Sequence, residues 1–152
     1  WINKINQRDK SVKLYIFGVN NKISKSKNTF LKSKNIFFFG RVSKSKLKST
    51  YLNSLGMICL GYDETFCLNA LEGNSCGLPI ITFGKTALKD YSISNYNSII
   101  AKNFTDLENK IFYLLSLSKH KKDKLIKNSF NHSKKFRLNI ISNLWIKLFK
   151  NI

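Results

Sequence analysis

The sequence predicts an α/β protein built on a parallel sheet with helices on both faces. Three observations predict it. Short β-branched and aromatic runs recur along the chain and are bounded by Gly or Pro. The segments between several of them carry apolar residues at helical spacing. Strands that alternate with helices must pair in parallel through crossovers. With 152 residues and 43% hydrophobic content, the chain holds one domain's worth of core.

Val12 to Phe17 (VKLYIF) ends at Gly18, and Ile36 to Phe39 (IFFF) ends at Gly40, so both read as buried strands. The lysine-rich residues Asn20 to Lys34 have no strong apolar period and read as a loop with at most a short helix. Ser43 is placed to cap a helix in which Leu47, Tyr51 and Leu55 recur every four residues. Met57 to Leu60 is a third strand. Phe66 to Ser75 is a helix that turns Phe66, Ala70 and Leu71 toward a core and stops at Cys76-Gly77, where glycine takes the left-handed position past the helix end. Pro79 forbids continuation, and Ile80 to Thr82 is a fourth strand. Ser98 to Ala101 is a fifth. Thr105-Asp106-Leu107-Glu108 has capping-box spacing, which predicts a helix from about Asp106. Two more helices are expected at about Lys121 to Phe136 and Leu138 to Phe149.

Arginine occurs only at Arg8, Arg41 and Arg137, so nearly all of the 27 basic residues, which face 8 acidic ones, are lysine. A/T-rich codons encode lysine together with the abundant Asn, Ile, Phe and Tyr, so the charge of +19 reads first as base-composition bias. Scarce arginine argues against a reader of specific bases. From Ser49 to Gly84 there is no Lys or Arg at all, while Asp63, Glu64 and Glu72 fall inside that window. Cys59, Cys67 and Cys76 include no C-x-x-C pair, which fits reduced thiols rather than a disulfide frame, and no zinc pattern is present. The longest apolar runs fall far short of the roughly 18 residues a bilayer demands, and Trp1 to Lys10 is not a signal peptide. Without an initiator Met, the sequence is expected to be a processed product or a piece of a longer protein.

Gly73-Asn74-Ser75-Cys76-Gly77 matches the G-x-S-x-G pattern of a nucleophile elbow, but an elbow needs a strand before the serine and a helix after it. The reverse is predicted here. Glu64 and Glu72 are eight residues apart. On a single helix that spacing is a rise of about 12 Å and a rotation of about 80°, wider than the roughly 5–9.5 Å of a glycosidase pair. It suits two contacts at opposite ends of an extended ligand. Between them, a helix start near Phe66 to Leu68 would offer free amides and the positive end of the helix dipole to an anion.

The block Glu64-Thr65-Phe66-Cys67-Leu68-Asn69-Ala70-Leu71-Glu72, followed by Cys76-Gly77-Leu78-Pro79-Ile80-Ile81, resembles the E-x7-E segment and C-G-x-P-V-I tail of family 4 retaining glycosyltransferases. Leu14 to Gly18, Ile36 to Val42 and Tyr96-Asn97-Ser98 resemble further segments of that family in the same order. The resemblance implies a Rossmann-like C-terminal half of a GT-B fold, with residues 1–152 forming a nucleotide-sugar donor-binding domain. In the family, the glutamate at the position of Glu64 approaches the donor sugar and acts as the catalytic residue. The one at Glu72 binds the ribose. Amides around Phe66, Cys67 and Leu68, with Thr65, face the sugar and diphosphate, and the turn at Arg41-Val42 lies near the base.

Cys67 departs from the family's usual glycine, and Lys89-Asp90 stands where a glutamate is common. The family's first strand of this half, with its diphosphate-clamping residues, would precede Trp1, so one edge of the sheet is expected to be open. The implied activity is hexosyl transfer from a nucleotide-diphosphate sugar with retention, without a metal or other cofactor, in glycan or cell-surface polysaccharide assembly. The implied acceptor is a glycan or lipid-linked acceptor, held by an N-terminal domain absent from this sequence, so the chain alone is expected not to turn over. A cytoplasmic location follows, extending to the inner membrane face through peripheral contact with anionic lipid. The alternative is a basic α/β module that binds nucleic acid or anionic lipid, although a lysine-free acidic window serves no such module and no specific nucleic acid is expected.

Overall fold

The computed structural model describes residues 4–5, 7, 9–18, 35–61 and 65–150. Contacts divide the chain into two compact units, Trp1–Thr50 and Tyr51–Ile152.

In the first unit, strands β1 (Leu14–Ile16) and β2 (Ile36–Phe38) pair in parallel, Leu14 opposite Ile36. Aromatic side chains stack across the pair, Tyr15 on Phe37 at 5.4 Å within the strands and Phe17 on Phe39 at 5.2 Å just past their ends, between ring centroids. Beyond the carboxyl ends of the strands, the Gly18 amide donates to the Gly40 carbonyl at 3.3 Å. Asp9 accepts from the amide and hydroxyl of Ser11, which holds its carboxyl below the usual range. The expected loop at Asn20 to Lys34 lies outside the described residues. Helix α1 (Lys44–Leu52) begins where predicted, with the Ser43 hydroxyl accepting from the Lys46 amide, but it ends before Leu55.

The second unit holds β3 (Met57–Cys59), β4 (Ile80–Thr82) and β5 (Ser98–Ile100), parallel and in that order. All three residues of β4 are buried. Successive side chains point to opposite faces, so this strand is covered on both. Helices α2 (Leu68–Ser75) and α4 (Phe104–Ser116) both pack against it. Ile80 joins Cys59, Ala70, Leu88 and Tyr91 in one buried cluster, with Met57, Cys67, Leu71 and Phe136 against it. The short helix α3 (Ala87–Tyr91), absent from the sequence reading, supplies Leu88 and Tyr91. Helix α5 (Lys119–Ser133) lies along α2, a short 3₁₀ turn at Lys134–Phe136 follows, and α6 (Leu138–Lys150) packs against that turn. Among the described residues no helix is long and apolar enough to cross a membrane.

The parallel α/β class is as expected, but the strands form two sheets rather than one.

Two helix starts are also corrected. Helix α2 begins at Leu68 rather than Phe66, and Phe66 is 42% exposed instead of turned into the core. Helix α4 begins two residues before Asp106. Asn103 rather than Thr105 caps it, accepting from the Asp106 amide at 2.9 Å, while the Asp106 carboxylate accepts from the Lys102 amide at 2.9 Å. Starting there, Asn103 and Asp106 satisfy two amides together.

Candidate functional site

The E-x7-E block forms the β3-to-α2 connection and α2 itself, at the carboxyl end of β3, where open α/β sheets hold ligands. Gly73 sits on α2 where it crosses β3: a Cβ there would stand 2.7 Å from the Met57 sulfur, so glycine is what lets helix and strand approach. The far end of α2 is closed by a Schellman motif. Leu78 N–H donates to Gly73 O and Gly77 N–H to Asn74 O, both at 2.9 Å, with Gly77 at φ +84° as its sequence position predicted. Ser75 of the G-x-S-x-G match lies in the last turn of α2 with its hydroxyl donating to the Glu72 carbonyl at 2.7 Å, and β4 follows. That is a helix end and no nucleophile elbow.

The beginning of α2 is different. Its N-cap is Cys67, whose side chain makes no capping hydrogen bond and packs on the buried cluster instead, and its first turn carries no acid. A helix start without side-chain cap or carboxylate keeps its partial positive charge available to an anion. The first turn is tightly wound: Ala70 and Leu71 N–H both donate to the Cys67 carbonyl, and Leu68 N–H donates to that of Phe66. The Leu68 amide is thus already engaged. Thr65, Phe66 and Leu68 are exposed, and the Phe66 ring lies 5.9 Å from that of Phe136.

Glu72 is exposed one turn along α2 from Leu68. Among the described residues it makes no ion pair. Its charge is felt by Tyr51, whose phenol is pushed up to about 12, first by burial and then by Glu72. The carboxylate oxygens are exposed and placed to accept from hydroxyl groups. Glu64, the expected catalytic residue, lies outside the described residues, as does Asp63. Because α2 starts at Leu68, the frame in which both glutamates share one helix does not apply. In the first unit, Arg41 is exposed and Val42 half-buried, just past the carboxyl end of β2.

Behind α2 lies a buried polar network that the sequence reading did not find. Asn74, fully buried, donates to the Leu78 carbonyl at 2.6 Å, and its side-chain oxygen accepts from the Tyr91 hydroxyl at 2.8 Å and from Asn97 at 3.1 Å. Asn97 also donates to the Tyr91 carbonyl and accepts from the Ile93 amide and the Ser98 hydroxyl, while Ser129 of α5 donates to the Asn97 carbonyl. Tyr91 titrates well above its ordinary range through burial. His132 of α5 is 5% exposed, ringed by Tyr91, Tyr96 and Phe136 at 5.0, 6.3 and 5.7 Å. Neither ring nitrogen has a hydrogen-bond partner in bonding geometry. Burial, then Lys135, pull its pKa down; the Tyr91 backbone opposes this weakly.

Thr86 is a further unread residue. It precedes α3 at φ 54°, ψ −141°, a region nearly reserved for glycine, in the loop that leaves the carboxyl end of β4. A cleft of about 250 Å³, lined by Ser94, Asn95, Ile99, Ile100, Lys110 and Tyr113, contains none of the expected donor-site residues. Among the described residues no group of three or more His, Cys, Asp or Glu is placed to hold a metal.

A family model described as glycosyl transferases group 1 matches residues 2–132, most of the chain, from before β1 to the last turn of α5. The chain belongs to this glycosyltransferase family. A solved structure titled "Crystal structure of GtfA/B complex" superposes with a TM-score of 0.80 at 17% identity, over 97% of this chain and 31% of that one. No match was found among curated proteins. The fold is that of the C-terminal half of a GT-B glycosyltransferase, and the chain spans less than a third of the structure it matches. Within this glycosyltransferase half, the E-x7-E block occupies the β3–α2 connection and helix α2.

Proposed function

We propose that residues 1–152 form the nucleotide-sugar donor-binding domain of a retaining hexosyltransferase that acts in glycan or cell-surface polysaccharide assembly. The single observation that carries this is the uncapped, acid-free start of α2 at the carboxyl end of β3, one turn from the free carboxylate of Glu72. That arrangement suits a diphosphate on the helix start and a ribose diol on Glu72. In this reading Glu64 approaches the sugar, and Thr65, Phe66, Cys67 and Leu68 line the sugar and diphosphate. Arg41 and Val42 contact the base. Helix-terminal amides stabilise the leaving diphosphate without a metal. The acceptor is a glycan or lipid-linked acceptor met on the cytoplasmic side, with peripheral contact to anionic membrane.

Titration of the chain with UDP, GDP and ADP in EDTA, followed by amide NMR, tests the donor site. One nucleotide is expected to shift the amides of residues 65–72, and Glu72→Ala to weaken it about ten- to a hundredfold, the loss of hydrogen bonds to a charged group. Shifts confined to other segments, or an unchanged affinity in Glu72→Ala, would overturn the assignment. Retention is read from the anomeric configuration of the product made by the protein that carries this domain.

A further inference from the structure

The buried network behind α2 borders on a titratable group with nothing to bond to. His132, in the last turn of α5, is 5% exposed, and neither ring nitrogen has a hydrogen-bond partner in bonding geometry among the described residues. Buried polar atoms are nearly always bonded, so an orphaned imidazole calls for an explanation. From α3 it meets the Tyr91 ring in a T-shaped contact at 5.0 Å, and from the turn before β5 the Tyr96 ring at 6.3 Å. The 3₁₀ turn adds Phe136 at 5.7 Å and Lys135, whose ammonium is the one charge that acts on the imidazole. The remaining charges on the elements around it, Lys89 and Asp90 of α3, Glu72 of α2 and Arg137 after the 3₁₀ turn, are exposed, and Lys134 is held over the Phe130 ring at 4.5 Å. Strand β5 carries no charge, and one turn back on α5 stand Asn128 and Ser129. No carboxylate offsets Lys135.

A proton changes what these surroundings must hold. Neutral imidazole brings one donor and one acceptor, whereas imidazolium brings two donors and a charge. The Tyr91 carbonyl, the backbone group that acts on the ring, already accepts from Asn97 at 3.2 Å, and the Tyr91 hydroxyl is committed to Asn74. The carboxyl-terminal end of α5 favours a cation, but Lys134 and Lys135 follow it directly. A buried charge with neither counter-ion nor acceptor moves out to water rather than staying in place. Moving the imidazolium displaces the Tyr91 ring packed against it, and the hydroxyl that donates to Asn74 goes with that ring. Asn74 lies on α2, the helix that α5 packs along. Its bond to Tyr91 is one of the contacts that hold α2, whose own start has no side-chain cap.

We infer that His132 is a proton-sensitive latch on α2: when its imidazole takes up a proton from solvent, the Tyr91–Asn74 bond opens and loosens the helix whose start and Glu72 form the candidate donor site. The consequence for nucleotide binding rests on the donor reading of α2 proposed above. Burial and Lys135 hold the folded ring's titration below the ordinary 6.5, so the latch is closed above that pH and opens on the acid side. Between pH 7.5 and 5, the His132 ring signals, in a His120→Gln background that leaves one histidine, give the titration, and the amide signals of residues 68–75 give the response of α2. Those amides are expected to shift with the midpoint of the ring and to stay fixed in His132→Phe, which keeps an aromatic ring and takes up no proton. Lys135→Glu, at an exposed position, is expected to move the midpoint upward by supplying the missing counter-charge. In Tyr91→Phe the ring still titrates and α2 no longer follows. Of UDP, GDP and ADP, the nucleotide that binds at pH 7.5 is expected to lose about tenfold more affinity at pH 5 in the native sequence than in His132→Phe, a comparison in which the titration of its own phosphates cancels. Four results would overturn the inference: α2 amides indifferent to the ring, a response kept in Tyr91→Phe, a midpoint unmoved by Lys135→Glu, or the same pH dependence of binding with and without the histidine. Absence of nucleotide binding at pH 7.5 refutes the donor reading instead, and α2 amides that follow the ring then still bear out the latch.

Discussion

Replacing Asn74 by Ala removes the hub of the network behind α2, and its cost follows from what is left unpaired. The side-chain amide gives one donor to the Leu78 carbonyl, and its oxygen accepts from Tyr91 and Asn97. All three partners lie in the buried interior, where an orphaned polar group costs about 1–3 kcal/mol. Asn97 retains the Tyr91 carbonyl as an acceptor, so its loss is partial. The Leu78 carbonyl and the Tyr91 hydroxyl lose these partners, and a small cavity is left between Leu78, Tyr91 and Asn97. Together these give about 3–5 kcal/mol. Tyr91→Phe removes one donor only. The Asn74 oxygen keeps its bond from Asn97, so the expected cost is about 1 kcal/mol. Urea unfolding followed by tyrosine fluorescence and circular dichroism, with the double variant closing a cycle, measures both. Because the two residues share a bond, the double variant should cost less than the sum by at least about 0.5 kcal/mol. An Asn74→Ala cost near that of Tyr91→Phe, or strict additivity, would refute the claim that one oxygen ties α2 to α3 and β5.

Three further outcomes are expected. The pKa of His132 is pulled below its ordinary 6.5 in the folded chain, so the unfolded chain takes up the proton first. The stability from the neutral ring is present above about pH 6.5 and lost as pH falls through the folded pKa, so the urea midpoint should drop between pH 7.5 and 5 and His132→Phe should flatten that drop. Thr86→Gly should raise stability by about 0.5–2 kcal/mol, because relief of a strained backbone outweighs the added flexibility of the unfolded chain; a decrease in thermal midpoint would contradict it. Gly77→Ala should cost about 2–4 kcal/mol, since φ +84° disfavours a Cβ that would also stand 2.9 Å from the Ile126 methyl; a loss under about 1 kcal/mol in urea would show that the turn relaxes.

The elements from Met57 to Thr82 were legible because each depends on local chemistry: short apolar strands, a glycine that must turn left-handed at Gly77, and a proline at Pro79 that stops the helix. Type was easier to read than boundary, because neighbouring caps compete. Asn103 and Thr105 both offer an oxygen, and only the complete turn shows that Asn103 lets Asp106 satisfy a second amide. Helix α3 is five residues long, too short to show a period. Asn74, Asn97 and His132 were hidden for another reason. In a chain rich in asparagine, a buried amide and a solvated one look alike, and His132 sits in a lysine-rich stretch that reads as a solvated face. The division into two sheets was also invisible, since strand order is set by pairing partners and not by succession along the chain. At the site, the family motif led to α2 and Glu72, but it gave no sign that the Leu68 amide is already bonded.

The network and the site are two ends of one mechanical arrangement. Helix α2 is only eight residues long, and its start lacks a side-chain cap, so neither its own hydrogen bonds nor its N-terminus fixes its orientation. What holds it is at the other end and along its inner face. The Schellman turn at Gly77 closes its last turn, Gly73 sets its distance from Met57, and Asn74 bonds it through Tyr91 and Asn97 to the segments flanking α3 and β5. Glu72 lies between Leu71, which packs on the buried cluster, and Gly73. A helix anchored through its C-terminal half can leave the positive end of its dipole without a side-chain cap and an adjacent carboxylate without an ion pair, and still hold its orientation. Such an arrangement suits the proposed diphosphate and ribose contacts, because groups positioned before a ligand arrives do not have to be ordered when it binds.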